Sequence, residues 1–114
     1  MKREVIGAHY GWGGWLAQRI TAVIMLLYTL FFLAILVSLP SRDYDHWKAL
    51  WTLPVMRYAT MIFVLALAYH AWVGVRNIFM DYVKDTGVRL ILYVLVILTL
   101  IAYGMWAVQI LWGA

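Results

Sequence analysis

The sequence predicts an all-α membrane protein in which three helices cross the bilayer. Of its 114 residues, 67% are hydrophobic and only 12% are charged, whereas soluble domains carry roughly 45–50% apolar and about 25% charged residues. Three runs without any charged residue are each long enough to span a bilayer, which takes about 17–25 helical residues. We therefore expect a single membrane domain over residues 1–114, with spans at about residues 20–41, 57–79 and 89–112.

Lys and Arg residues are distributed unevenly between the segments outside these spans. With three spans, the amino-terminal segment and the second loop lie on the same side, and together they hold six of the nine basic residues. The first loop holds the other three, and the carboxyl end has none. Because basic residues accumulate on the cytoplasmic side, we expect the amino terminus in the cytoplasm and the carboxyl end outside.

Two segments outside the spans are rich in aromatic residues. Residues 7–15, "GAHYGWGGW", contain four of the eight glycines, and we expect an irregular interfacial segment anchored by its Tyr and Trp side chains. In residues 41–54, Tyr44, Trp47 and Trp51 recur at helical spacing. This spacing predicts a short helix lying on the outer surface, ended by Pro54.

The absence of cysteine excludes several kinds of site. This chain can form no disulfide, thiolate zinc site or iron–sulfur ligand, and it cannot attach haem through Cys. The charge-free runs also lack Asp and Glu, whereas a small multidrug-type transporter needs a membrane-buried carboxylate to bind its cations.

A histidine lies inside the second span, where an ionisable ring needs a partner. His70 precedes Arg76 by six residues, or roughly 9 Å along a helix. Ala66 and Gly74, one turn before and after the ring, leave a shallow recess of the kind that a porphyrin coordinated by His70 requires. Small residues also favour close helix packing, with His70 hydrogen-bonded across the contact. The pattern alone leaves both interpretations open.

A membrane haem b commonly takes two axial ligands, and the spans contain only one histidine. His9 and His46 lie outside the spans, on opposite sides. If haem is bound, we therefore expect its second ligand to come from another subunit.

Two stretches resemble a known family. The segment "HAWVGVRNIFMDYVKD" (residues 70–85) and, less specifically, "WLAQRITAVIMLLY" (residues 15–28) resemble the small hydrophobic membrane-anchor subunit, of cytochrome b type, of succinate dehydrogenase (succinate:ubiquinone oxidoreductase). Chain length, three spans and a cytoplasmic amino end are similar too. The resemblance implies a multi-pass protein of the bacterial inner (cytoplasmic) membrane that is part of a heteromeric helix bundle.

The resemblance also implies cofactors and site residues. His70 matches the axial ligand of the haem iron, and Arg19 matches a basic residue near the haem propionates. Tyr82 matches the tyrosine that hydrogen-bonds a quinone carbonyl, and Asp81 matches the adjacent acidic residue of the quinone site, a candidate proton relay. Each residue also has an alternative role that involves no cofactor. Arg19 is then a snorkelling anchor at a helix end. Tyr82 then occupies an ordinary position at the membrane interface, and Asp81 an ordinary position in a loop.

The partners implied by the resemblance are a second cytochrome b anchor subunit that supplies the other haem ligand, an iron–sulfur subunit and a flavoprotein subunit. FAD and iron–sulfur clusters are then carried only by those subunits, ubiquinone is the substrate, and the isolated chain is not expected to be catalytic. Membrane lipid is the remaining partner, and no nucleic acid is expected. A purely structural anchor without haem, or a small multidrug-type transporter, is the alternative.

One departure from the family pattern concerns the propionate region. Some relatives place a histidine a few residues before the residue matched by Arg19, whereas this chain has Gly13, Gly14 and Trp15 there.

Overall fold

The protein is an elongated assembly of helices. A computed structural model describes the backbone of residues 6–113 and the side chains of residues 13–113. Its elements are α1 (Ile6–Ser38), α2 (Tyr44–Leu50), α3 (Pro54–Tyr82) and α4 (Thr86–Gly113). No strand occurs within residues 6–113, and the predicted all-α class is confirmed. Three segments are long and apolar enough to cross a membrane: Gly13–Ser38 of α1, and the whole of α3 and α4.

The prediction of an irregular segment at residues 7–15 is wrong, because α1 already begins at Ile6. Glycines weaken a helix by about 1 kcal/mol each relative to alanine. Each residue added to an existing helix nevertheless gains a backbone hydrogen bond, and near lipid an unpaired backbone group is more costly than that entropy loss. The side chain of His9 lies outside the described residues, as do Lys2 and Arg3.

The short helix predicted in the first loop is present as α2, but Pro54 does not end it. Asp43 caps the amino end of α2, where its Oδ1 accepts a hydrogen bond from the backbone N–H of His46 at 3.0 Å. That bond, together with a 2.6 Å contact to Nδ1 of His46, holds the pKa of the Asp43 carboxyl below its ordinary value. Pro54 is instead the first residue of α3, a position where the missing N–H of proline leaves no hydrogen bond unmade.

Helix α3 is the centre of the fold and packs against both α1 and α4. The most deeply buried side chains belong to it: Met56 and Val73 are 1% and 2% exposed, and Ala66 is 6% exposed. Many large apolar side chains of all three long helices remain exposed. Since these helices cross a membrane, lipid or the helices of other chains must cover those faces.

Aromatic packing fixes α2 against the end of α1. The ring centroid of Phe32 lies 6.2 Å from that of Trp47 and 6.1 Å from that of Trp51. Arg57, near the start of α3, donates a hydrogen bond from Nε to the carbonyl oxygen of Trp51 at 2.8 Å. These contacts occupy the end of the molecule away from His70 and have a structural role.

At the opposite end, three residues separate α3 from α4. Helix α3 continues past Arg76, as predicted, and its last turn contains Asp81 and Tyr82. Asp85 then accepts a hydrogen bond from the backbone N–H of Gly87 at 2.9 Å, which starts α4. The short loop keeps the last turn of α3 beside the first turn of α4.

Candidate cofactor site between α1 and α3

A cavity of about 510 Å³ lies between α1 and α3 and contains two of the residues predicted from the sequence, Arg19 and His70. Helix α1 lines it with Gly14, Trp15, Gln18, Arg19 and Ala22, and helix α3 lines it with His70, Val73, Arg76 and Asn77. Trp15, Arg19 and Asn77 are exposed. The cavity is therefore open along that side.

Helical spacing explains why these residues meet. On α1, Gly14, Gln18 and Thr21 follow one another at intervals of four and three residues, so they lie along one stripe. On α3, His70 and Val73 are three residues apart, and Val73 is buried in the helix contact. The two stripes face each other, which places a polar set of side chains inside an otherwise apolar interface.

Two glycines let the helices approach. A methyl group added at Gly14 would lie 3.6 Å from a terminal nitrogen of Arg76, and one added at Gly74 would lie 3.9 Å from Nε2 of Gln18. The long side chains of Gln18 and Arg76 thus run over the backbone of the facing helix. Such close approach at small residues is typical of helices packed in a membrane.

His70 makes one hydrogen bond across this interface. Its Nδ1 lies 2.9 Å from the hydroxyl oxygen of Thr21, and Thr21 is 8% exposed. Among side chains 13–113, Nε2 of His70 has no hydrogen-bond partner. One ring nitrogen is thus satisfied by helix packing, as the packing interpretation predicts, while the other is available to a ligand.

Two buried polar atoms at the cavity have no hydrogen-bond partner among the described residues: Oε1 of Gln18 and Nε of Arg76. A buried polar group without a partner costs about 1–3 kcal/mol, so both atoms favour a polar occupant of the cavity. Arg19 is the second cation at the site, and its guanidinium carbon lies 5.1 Å from the centroid of the Trp15 ring.

This set of side chains fits haem b. A neutral imidazole nitrogen is an axial ligand for haem iron, and guanidinium groups bind carboxylates such as the two propionates. Ala22 and Val73 supply apolar wall beside His70. The arrangement therefore combines an imidazole that can bind iron, two cations and an apolar surface within one cavity.

The recess predicted along Ala66 and Gly74 is not this cavity, and that part of the prediction is wrong. Gly74 faces Gln18 of α1, and Ala66 is buried, so neither lines the cavity. The small residues that leave room at the cavity are Gly14 and Ala22 of α1. The Ala66 and Gly74 row serves helix packing instead.

Asp81 and Tyr82 do not join His70. Both are exposed in the last turn of α3, and Tyr82 is 79% exposed. Tyr82 lies twelve residues beyond His70, which corresponds to roughly 18 Å along a helix. A site that uses Tyr82 is therefore distant from His70, and it is open to other molecules.

Sequence reasoning missed Gln18, Thr21 and Arg76 as members of the site. The available signal was the stripe of Gly14, Gln18 and Thr21, because polar side chains at helical spacing beside a small residue mark a contact face in a membrane helix.

Comparison with known proteins identifies the family. The family model described as "Succinate dehydrogenase/Fumarate reductase transmembrane subunit" matches residues 1–106. A protein of Coxiella burnetii named succinate dehydrogenase hydrophobic membrane anchor subunit is 38% identical over 104 residues, which cover 91% of this chain and 90% of the relative. A Rickettsia bellii protein of the same name is 32% identical over 103 residues, covering 85% of this chain and 78% of the relative. The chain therefore belongs to the family of succinate dehydrogenase/fumarate reductase transmembrane subunits, as the resemblance of its sequence predicts.

Proposed function

We propose that this chain anchors the flavoprotein and iron–sulfur subunits of succinate dehydrogenase to the bacterial inner membrane, with its amino terminus in the cytoplasm. In this role it provides one axial ligand of a haem b shared with a second cytochrome b anchor subunit, and it forms part of the ubiquinone-reduction site. The names of both relatives support the anchoring role. The chain itself does not bind succinate.

The observation that carries the haem assignment is the meeting of His70, Arg19 and Arg76 at one cavity. A satisfied core histidine needs no cations beside it. Here two arginines line the same cavity as an imidazole in the membrane-spanning part of the chain, where uncompensated charge is costly. An iron porphyrin with two carboxylates accounts for all three groups at once.

Within this proposal, each residue has a defined task. Nε2 of His70 would hold the iron, while Arg19 and Arg76 would bind and orient the propionates. When bound, haem b supplies a one-electron redox centre. Val73 and Ala22 keep water from the adjoining part of the cavity, because their side chains offer it no hydrogen bond.

The same geometry supports the proposal of a second anchor subunit. The spans of this chain contain one histidine, and α1 and α4 both pack on α3 in a single layer that leaves large apolar faces exposed. A partner helix placed over the open side of the cavity would supply the opposite axial ligand and cover part of these faces.

Tyr82 and Asp81 are proposed to act at the quinone. Reduction of ubiquinone to ubiquinol takes two electrons and two protons. The Tyr82 hydroxyl donates a hydrogen bond to the carbonyl oxygen where negative charge develops, which stabilises that charge as an oxyanion site does. Asp81, the adjacent residue, passes protons from the cytoplasmic side to that oxygen. The exposure of both side chains supports contact with quinone and with a neighbouring subunit.

The test compares His70→Ala with the control His46→Ala in the complex purified with its partner subunits. His46 is a partly exposed histidine of α2 and does not line the cavity, so its loss is expected to leave haem unchanged. We expect His70→Ala to lose most of the b-type absorption that dithionite reveals, while the other subunits still co-purify. Full haem content and an unchanged spectrum in His70→Ala would leave a purely structural anchor as the better description.

A further inference from the structure

Thr21 contacts the helix backbone and the His70 ring with the same oxygen. Its Oγ1 lies 2.8 Å from the carbonyl oxygen of Ala17 and 3.2 Å from that of Gln18, one turn back on α1. The same Oγ1 lies 2.9 Å from Nδ1 of His70 on α3. Thr21 is buried, so these three contacts replace the hydrogen bonds that water would otherwise make.

The contacts with the backbone favour one position for the proton shared between Thr21 and His70. A carbonyl oxygen only accepts hydrogen bonds, and a hydroxyl has one hydrogen to donate. The hydrogen of Thr21 is therefore engaged by Ala17, with Gln18 as the weaker second acceptor. With that hydrogen directed to Ala17, the oxygen lone pairs of Thr21 face His70, and this arrangement makes Nδ1 of His70 the donor. Because a neutral imidazole carries a single N–H, Nε2 is left with its lone pair.

We propose that Thr21 is a positioning residue that holds His70 in the tautomer able to bind iron. This inference rests on the proposed haem-ligating role of His70. A hydrogen bond from one ring nitrogen fixes the tautomer and the ring orientation, and it makes the other nitrogen a more basic ligand. Thr21 lies on α1 and His70 on α3, so the ligand is correctly oriented only when the two helices pack in their native register.

The position of Thr21 on the chain offers a matched control. Thr29, two turns further along α1, makes the same bond to the carbonyl four residues back, Met25, at 2.7 Å. Thr29 is exposed and has no histidine partner among the described side chains. Thr21→Val and Thr29→Val therefore each remove a threonine hydroxyl that bonds to the carbonyl four residues back on α1. Only Thr21→Val also removes the hydrogen-bond acceptor for His70.

The experiment uses the complex purified with its partner subunits, and it measures haem retention, the haem midpoint potential and the histidine tautomer. We expect Thr21→Val to bind haem about 10–100-fold more weakly and to raise the midpoint potential, because a less basic ligand stabilises ferric iron less. Thr21→Ser keeps the hydroxyl and should restore both values, and Thr29→Val should match the wild type. Ring-¹⁵N NMR of the reduced wild type should show Nδ1 of His70 protonated.

The outcomes separate this inference from the function on which it rests. A wild-type complex that holds haem, with Thr21→Val indistinguishable from Thr29→Val, would overturn the role of Thr21 and leave His70 as the ligand. A shift that Thr21→Ser does not reverse would reduce Thr21 to a packing residue. A wild-type complex without haem would overturn both proposals.

Discussion

Arg19 lies over the indole of Trp15, one turn earlier on α1, with 5.1 Å between the guanidinium carbon and the ring centroid. A guanidinium held over an aromatic ring keeps N–H donors that can bind a carboxylate. Such a contact at an exposed site is worth about 0.5–1 kcal/mol. That is enough to bias the side chain toward the cavity that both residues line.

Neutralising Arg19 is expected to lower the midpoint potential of the haem. A positive charge near the propionates favours the reduced state, which carries one positive charge fewer, so Arg19→Gln should shift the potential downward by tens of millivolts, roughly the scale of one screened charge. Redox titration of the purified complex measures the shift. Arg89→Gln is the control, because Arg89 does not line the cavity. Equal shifts in the two variants would contradict a local effect.

Arg76 should matter as much as Arg19, although the family pattern did not single it out. Its Nε is buried without a partner among the described residues, so a carboxylate in the cavity would complete its hydrogen bonds. We expect Arg76→Gln to weaken haem retention and lower the midpoint potential. Arg57→Gln, at the other end of α3, should change neither, because the side chain of Arg57 is bound to the Trp51 carbonyl. A wild-type potential in Arg76→Gln would indicate that another anion, such as a lipid phosphate, satisfies this arginine.

The presence of three long apolar helices was predictable from sequence, because hydropathy and charge are properties of the individual residues. The residues at which the helices begin and end were less predictable. Pro54 suits the end of one helix and the first turn of the next equally well, and only the packing of α3 decides between them. Residues 7–15 look irregular by composition, yet they continue an adjoining apolar helix whose backbone is already hydrogen-bonded. In both cases the conformation that the local residues favour differs from the one that the neighbouring helix imposes.

The site was predictable only in part, for a similar reason. His70 and Arg19 were recognised because an ionisable group inside or beside a span is conspicuous and because both match the family. Thr21 was not, since threonine is ordinary in membrane helices. Its role depends on the rotation of α1 about its axis relative to α3, which no single segment encodes. The same rotation decides that Gly74 faces Gln18 and so serves packing.

Gly74 should tolerate a methyl group but not a large side chain. An added Cβ would lie 3.9 Å from Gln18, an ordinary van der Waals contact, whereas leucine would have to displace α1. We expect Gly74→Ala to be near wild type and Gly74→Leu to destabilise the α1–α3 contact by about 1–3 kcal/mol, a usual cost of overpacking. Thermal denaturation of the complex and its haem content report the effect. Gly104→Leu on α4 is the control, since nothing lies within 4 Å of the Cβ that it would add. Equal losses in the two leucine variants would argue against close packing at Gly74.

Tyr82 is expected to affect quinone reduction without affecting succinate oxidation. Tyr82→Phe removes a hydroxyl from an exposed side chain in the last turn of α3, so the fold should be unchanged. Loss of one hydrogen bond, worth roughly 0.5–1.5 kcal/mol, predicts a fall of up to about tenfold in the rate of ubiquinone reduction. The rate with a soluble dye acceptor, which bypasses the quinone, should stay at the wild-type value.

Tyr58→Phe provides the matched control for this experiment. Tyr58 is an exposed tyrosine in the first turns of the same helix, and its ring packs near Trp112 at a centroid distance of 5.8 Å. Removal of its hydroxyl should leave both rates unchanged, because that end of α3 lies far from Tyr82. If Tyr82→Phe slows the dye and the quinone reactions equally, the residue acts in assembly of the complex. If it slows neither, the hydrogen bond to the quinone carbonyl must come from another side chain.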